Sequence, residues 1–205
     1  MARHDAQSAA TLSTLRRRYE TPVFGPVAMF DLIGRLGQCV DPTDCRLFGA
    51  SQLTHVLQLI EAMDADGVLT EDLLLAALVH DVGKLLLLCD EDPANVVGMN
   101  FPIGEHADGI GLDNVVTQWN HDEFGYTRLV GLVPDHIAWL TRHHSMDPVA
   151  NRHLMDERDR RYAAEYLDVF FHYDHDSKST FDVPTTRLAE CRDVIDAAFP
   201  EPIVF

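Results

Sequence analysis

Cysteine is scarce, basic residues are outnumbered, and no apolar run is long. The four cysteines, Cys39, Cys45, Cys89 and Cys191, show no CxxC spacing. That excludes a paired-cysteine metal knuckle and favours reduced core thiols in a cytoplasmic protein over a disulfide set. Lys and Arg number 16 against 33 Asp and Glu, a formal net charge of −17. Nucleic acids and anionic membranes need clustered Lys and Arg, so neither is an expected partner. A strongly anionic substrate is disfavoured for the same reason, unless a local basic pocket receives it. The longest apolar runs, Leu73 to Val79 and Leu85 to Cys89, are far too short to span a bilayer. Met1 to Ala10 lacks the apolar stretch of a secretory signal. There is no repeat, no low-complexity tract and no alternating strand pattern.

What is present is an ordinary globular composition, 46% hydrophobic and 24% charged over 205 residues. It fits a single domain, 1–205, with a well-buried core. The periodicity is helical nearly throughout. Ser8 to Arg18 predicts a short helix ending in Arg16-Arg17-Arg18. Pro26 to Val40 carries the stripe Val27, Phe30, Ile33, Leu36 and Val40. Ser51 can cap a helix that stops near Asp66-Gly67, and Thr70 can cap the next, a run apolar almost all round and so expected at the centre. Pro93 to Gly111 is the one long irregular segment, a length that is often functional. Helical patterns resume at Leu112 to Trp119, Phe124 to Leu132, Pro134 to His144, Asp156 to Tyr173 and Thr186 to Phe199. In the Asp156 helix Tyr162, Tyr166, Val169, Phe170 and Tyr173 share a side. The predicted fold class is all-α, a multi-helix bundle.

The main chemical signal is His80-Asp81 inside the run Leu73 to Leu88. A histidine and an aspartate in so apolar a helix are costly unless something binds them, and a metal is the usual reason. On helical spacing His80, Asp81 and Lys84 share one face. Such an aspartate can bridge two metals while the imidazole binds one, and Lys84 sits where its ammonium could meet a substrate oxygen. His55 lies on or near the buried face of the preceding helix. His121 is embedded in Asn120-His121-Asp122-Glu123, which also reads as a polar helix end. Of His143 and His144 only one can point inward, His136 competes with both, and spacing does not separate Asp174 from Asp176. His4, His106 and His153 fall in segments read as surface. A set of four His and two Asp suffices for two metals and suits iron, manganese or zinc.

The order H…HD…H…H…D resembles the HD-domain superfamily, and the finer match is to the myo-inositol oxygenase family. It is carried by Leu78-Val79-His80-Asp81-Val82-Gly83-Lys84, Val96-Val97-Gly98-Met99-Asn100-Phe101-Pro102-Ile103-Gly104, Gly111-Leu112-Asp113-Asn114-Val115, Trp119-Asn120-His121-Asp122-Glu123, Arg142-His143-His144-Ser145 and Tyr173-Asp174-His175-Asp176-Ser177-Lys178. The family-like core is 41–178, with 1–25 as an N-terminal segment. The resemblance implies an HD-domain bundle enclosing a dinuclear site. One iron would be held by His55, His80, Asp81 and Asp174, the other by Asp81, His121 and His144, with Asp81 bridging. It implies a mixed-valent Fe(II)/Fe(III) pair, dioxygen as co-substrate, and C–C cleavage of a cyclic polyol, myo-inositol, to D-glucuronate. Asp81 and Lys84 would be catalytic. Asp41, Asp44, Lys84, Gly98, Ser145 and Lys178 fall at substrate-pocket positions.

Three departures bear on the substrate. Met99 stands where the family has an acidic polyol contact, and a thioether cannot replace that hydrogen bond. The family's longer N-terminal segment, which brings an arginine over the pocket, is not matched, and Arg16 to Arg18 could stand in for it. The loop between Phe101 and Leu112 is shorter than in the animal enzymes. A diiron oxygenase acting on another hydroxylated substrate, such as a hydroxyphosphonate, is therefore the near alternative. A metal-dependent HD phosphohydrolase is the further one, although Asp41 and Asp44 would repel a phosphate.

Overall fold

A computed structural model describes residues 7–205, and its secondary structure is helical apart from one two-residue strand pair. Helix α1 (Ala9–Arg18) starts where the Ser8 side chain accepts from the Thr11 N–H. Strand β1 (Pro26–Val27) follows, then α2 (Met29–Arg35), α3 (Gln52–Ala65) and α4 (Glu71–Val79). Ser51 and Thr70 cap α3 and α4 as their sequence positions predict. Gly67, at φ +68°, takes the left-handed turn that ends α3. Helices α5 (His121–Leu129), α6 (Asp135–His143), α7 (Glu157–Tyr162), α8 (Asp168–Asp176) and α9 (Arg192–Ala198) complete the bundle. Strand β2 (Ile203–Val204) pairs antiparallel with β1, pinning the buried Phe205 against the bundle.

Several expectations need correction. The Thr70 run is not one helix to Leu88. α4 ends at Val79, His80 is its C-cap, and Asp81 leaves helical geometry at φ −99°, ψ 7° before a 3₁₀ stretch, Val82–Leu88. Lys84 still meets Asp81, but across that break. Pro26 to Val40 divides into β1, α2 and a 3₁₀ turn, and Val40 is exposed. Leu112 to Trp119 has only a 3₁₀ turn, Leu112–Asn114. The helix placed at Phe124 begins three residues earlier, at His121.

The Asp156 helix runs on to Asp176 through a π-helical segment, Ala163–Leu167. The wider turn shifts the helical phase of the residues after it. The inward stripe becomes Ala163, Leu167, Phe170 and Asp174, all buried. Tyr162, Tyr166 and Tyr173 turn aside, and their hydroxyls donate to Asp135, Asp72 and Asp66. Cys45 is exposed, so not every cysteine is a core thiol; Cys39 and Cys191 are buried, and all four are free. Among the described residues no helix is long and apolar enough to cross a membrane.

Candidate metal centre and substrate pocket

Six separate elements aim side chains at one buried point. His55 comes from the first turn of α3, His80 from the end of α4 and Asp81 from the break after it. His121 opens α5, His144 ends α6, and Asp174 lies in the last turn of α8. The four histidines and Asp81 are at most 2% exposed, and Asp174 is 4% exposed.

Three of the imidazoles are held by their far nitrogen. The Nδ1–H of His80, His121 and His144 points at the carbonyls of Ala77, Val96 and Thr141, at 2.9, 2.7 and 2.9 Å. That fixes the tautomer and turns each Nε2 inward, the usual support of a metal-ligating histidine. Around Asp81 the donors divide in two. Its Oδ2 lies 3.3 Å from His80 Nε2 and 3.9 Å from His55 Nε2. Asp174 Oδ1 joins that side, 2.8 Å from His55 Nε2 and 3.6 Å from His80 Nε2. Asp81 Oδ1 faces the other way, 3.3 Å from His121 Nε2 and 3.7 Å from His144 Nε2.

Two groups therefore gather potential ligand atoms within 4.8 Å of one another, His55/His80/Asp81 and Asp81/His121/His144. Among the described residues both Asp81 oxygens and His80 Nε2 are buried without an aligned hydrogen-bond partner. An ionised carboxylate left so is expensive. Bound cations would satisfy it, and the mixed nitrogen and oxygen donors fit first-row transition metals. The donor set thus fits a metal pair.

The electrostatics agree. Burial alone would lower the His80 and His121 imidazoles, but Asp81 beside His80 and Asp122 beside His121 push each up to about 9. Protons occupy these nitrogens in the metal-free protein near neutrality. His55 is pushed down to about 4 by burial and by Lys178. Against the pull of burial, Lys84 and His80 hold Asp81 well below the usual carboxylate range.

The alternatives left open by spacing separate cleanly. His143 turns away, with Nε2 3.5 Å from Asp113. His136 stacks on Tyr166 and pairs with Asp72 at 3.0 Å. Asp176 is exposed and pairs with His172. His153 is exposed and His106 is half-buried, while His4 lies outside the described residues.

A cavity of about 310 Å³ opens onto the centre, and all six expected pocket residues line it: Asp41, Asp44, Lys84, Gly98, Ser145 and Lys178. Lys84 Nζ donates to Gln52 Oε1 at 2.8 Å and lies 3.0 Å from Asp81 Oδ2 and 3.5 Å from Asp41 Oδ2. Those carboxylates outweigh burial and raise its pKa above the usual lysine value. Lys178 Nζ is 3.3 Å from Asp44 and 3.8 Å from Asp174. Met99 forms part of the wall. Arg16 to Arg18 do not line the cavity: Arg16 reaches Glu123, Arg17 its own helix and Arg18 the buried Glu91.

Two buried residues were missed. Gln52 orients Lys84, and its signal was its place three residues before His55, on the same face of α3. Asp122 is fully buried beside His121, because Asn120 to Glu123 is not a solvated helix end but a start of α5 packed on the Val82–Leu88 stretch.

A helical bundle with a buried histidine–carboxylate centre under a polar cavity defines a metal-binding enzyme scaffold. The myo-inositol oxygenase family profile matches residues 1–109 and 103–205, and the two stretches meet in the loop read as shortened. The chain belongs to the myo-inositol oxygenase family, a family of enzymes. Inositol oxygenase 2 of Arabidopsis thaliana is 29% identical over 215 residues, covering 86% of this chain and 67% of that protein. Inositol oxygenase 5 of the same plant is 30% identical over 206 residues, covering 80% and 64%. Inositol oxygenase of Danio rerio is 26% identical over 192 residues, covering 75% and 68%.

Proposed function

We propose that this chain is a non-haem diiron oxygenase that cleaves a C–C bond of a cyclic polyol, myo-inositol, with dioxygen to give D-glucuronate. One iron is assigned to His55, His80, Asp81 and Asp174, the other to Asp81, His121 and His144. The observation that carries the reading is the division of Asp81: each oxygen faces a separate cluster of imidazoles and neither has an aligned hydrogen-bond partner. The second cluster has fewer protein donors and adjoins the cavity through His121 and His144, which leaves room for a substrate. When bound, the iron pair supplies the mixed-valent centre at which dioxygen and a diol react. The balance is simple: one polyol and one dioxygen give one uronic acid and one water.

The side chains do the rest. Asp41 Oδ1 is already taken by the N–H and hydroxyl of Thr43, at 2.8 and 2.7 Å, which holds Oδ2 toward Lys84 and the cavity. Asp41 and Asp44 accept hydrogen bonds from substrate hydroxyls, and Lys178 keeps the Asp44 carboxyl ionised despite its burial. Lys84 carries a fixed positive charge beside Asp81, where it stabilises a substrate oxygen that has lost its proton. One observation favours a second reading: Met99 offers a hydroxyl no partner, which suits a related alcohol with fewer hydroxyls.

Iron-loaded protein should consume dioxygen and form uronate on addition of myo-inositol, with phosphate release from nucleotides as the control. Uptake only with another alcohol would move the substrate, and phosphate release without uptake would sink the oxygenase reading.

A further inference from the structure

The Ser145 hydroxyl borders the cavity with its hydrogen already committed. It donates to Asp122 Oδ2 in a short hydrogen bond, while its oxygen accepts from the Asn100 main-chain N–H at 2.9 Å. A hydroxyl has one hydrogen and two lone pairs, so one lone pair is left for a ligand. Asp122 holds this arrangement rigidly. It is fully buried, takes a second contact from Asn120 Nδ2 at 3.4 Å, and sets Oδ1 3.0 Å from His121 Nε2 and 3.6 Å from His144 Nδ1. Swinging the Ser145 hydrogen into the cavity would remove a hydrogen bond from a buried carboxylate.

The rest of the cavity has the same bias. Asp41 and Asp44 can only accept. The cations that could donate are engaged, Lys84 by Gln52 and Asp81, Lys178 by Asp44, and Arg46 by the His175 carbonyl and Asp176. Away from Lys84, which faces the reacting oxygen, groups with a hydrogen to give find partners here more readily than groups with lone pairs alone.

We propose that Asp122 is a positioning residue that fixes Ser145 as a hydrogen-bond acceptor, so that the pocket selects a neutral substrate bearing a hydroxyl at that point. An ether, a fluorine or a phosphonate oxygen there meets only lone pairs. The proposal rests on the polyol reading above and narrows it, setting polyols apart from hydroxyphosphonates.

The test is anaerobic titration calorimetry of the full, iron-loaded chain. The ligands are myo-inositol, the six analogues in which one hydroxyl is replaced by fluorine, and hydroxymethylphosphonate. At one ring position at least, the fluorinated analogue should bind about tenfold more weakly than myo-inositol. Ser145→Ala should bring that ratio toward one while keeping its iron. Asp122→Asn should relax it too, because the amide can donate to the Ser145 oxygen and release its hydrogen. The phosphonate should bind more weakly than myo-inositol. An unchanged ratio at every position in Ser145→Ala, an unchanged ratio in iron-loaded Asp122→Asn, or a phosphonate that binds as tightly as myo-inositol overturns the proposal. If Asp122→Asn fails to fold or to load, the Ser145→Ala result decides. A loaded wild type that binds no polyol sinks the polyol reading and the proposal together, whereas dioxygen uptake with an unchanged ratio sinks the proposal alone.

Discussion

Replacing Gly83 by alanine should pull apart one half of the metal centre and leave the other standing. Gly83 lies in the 3₁₀ stretch after Asp81, against the start of α5. A Cβ built there would sit 1.9 Å from the His121 carbonyl oxygen, 2.7 Å from its carbon and 2.9 Å from its Cα. These atoms are backbone and cannot rotate away. To reach an ordinary contact of 3.4 Å from 1.9 Å, the His121 peptide must retreat by about 1.5 Å. The His121 ring is tied to the Val96 carbonyl, so it must either follow the peptide or lose that bond. Its Nε2, now 3.3 Å from Asp81 Oδ1, would then fall out of reach of a shared ion. Overpacking of this kind costs about 1–3 kcal/mol. For a chain of this size each kcal/mol lowers the melting temperature by about 2–4 °C. His55, His80 and Asp174 are carried by α3, the end of α4 and α8, not by α5. The expected result is a folded Gly83→Ala protein that melts lower and retains about one iron per chain, read by elemental analysis and circular dichroism. A variant with wild-type iron content and melting temperature would refute the close approach as the reason for glycine here.

Asp81→Ala should lose both irons, whereas Asp174→Ala should lose only the one assigned to His55 and His80; equal losses in the two variants would contradict a bridging Asp81. Lys84→Ala should keep its iron and lose turnover by at least a hundredfold, and full activity would show that its charge is not used. The metal-free protein should lose stability on the alkaline side. The folded-state values of His80 and His121, pushed up to about 9, lie above the unfolded value near 6.5, so their contribution is complete below about 6.5 and vanishes as pH rises through about 9. Each shift is worth on the order of 3 kcal/mol, so denaturant melts in chelator should weaken from pH 6.5 to pH 10, and a flat profile would refute the protonated-imidazole account.

The ligand-bearing residues were legible because they break local rules. A His-Asp pair in an apolar run has to be explained, and the family pattern then separates His144 from His143 and Asp174 from Asp176. The helix caps at Ser51 and Thr70 were legible for a different reason, since capping is local chemistry within three residues. The break at Asp81 was not legible. Most residues from Leu73 to Leu88 suit a helix, and the one helix-weakening glycine, Gly83, is tolerated in many helices, so its packing against the start of α5 had to be seen before the 3₁₀ geometry made sense. The π-helical segment at Ala163 was hidden likewise, because the same tyrosines satisfy either phase until α4 and α6 are in place. Gln52 and Asp122 escaped notice because polar residues beside a cap or a helix start are ordinarily solvated. Their burial follows from contacts with Lys84 and Ser145, distant in sequence.

The way the site is anchored also bears on how it meets its metal. His80, His121 and His144 are oriented through main-chain carbonyls that belong to the scaffold itself, those of Ala77, Val96 and Thr141. Lys84 and Lys178 lie within ion-pair distance of Asp81 and Asp174. Protons at His80 and His121 then offset much of the remaining negative charge when metal is absent. A centre built this way stands ready before binding, so loading exchanges protons for cations instead of folding the chain around them. Proton release on iron binding should therefore be measurable at pH 7 and shrink as the pH is raised past about 9, with little change in circular dichroism. Loading accompanied by a large gain of helix would mean that the bundle needs its metal to form, and the preorganised account would be wrong.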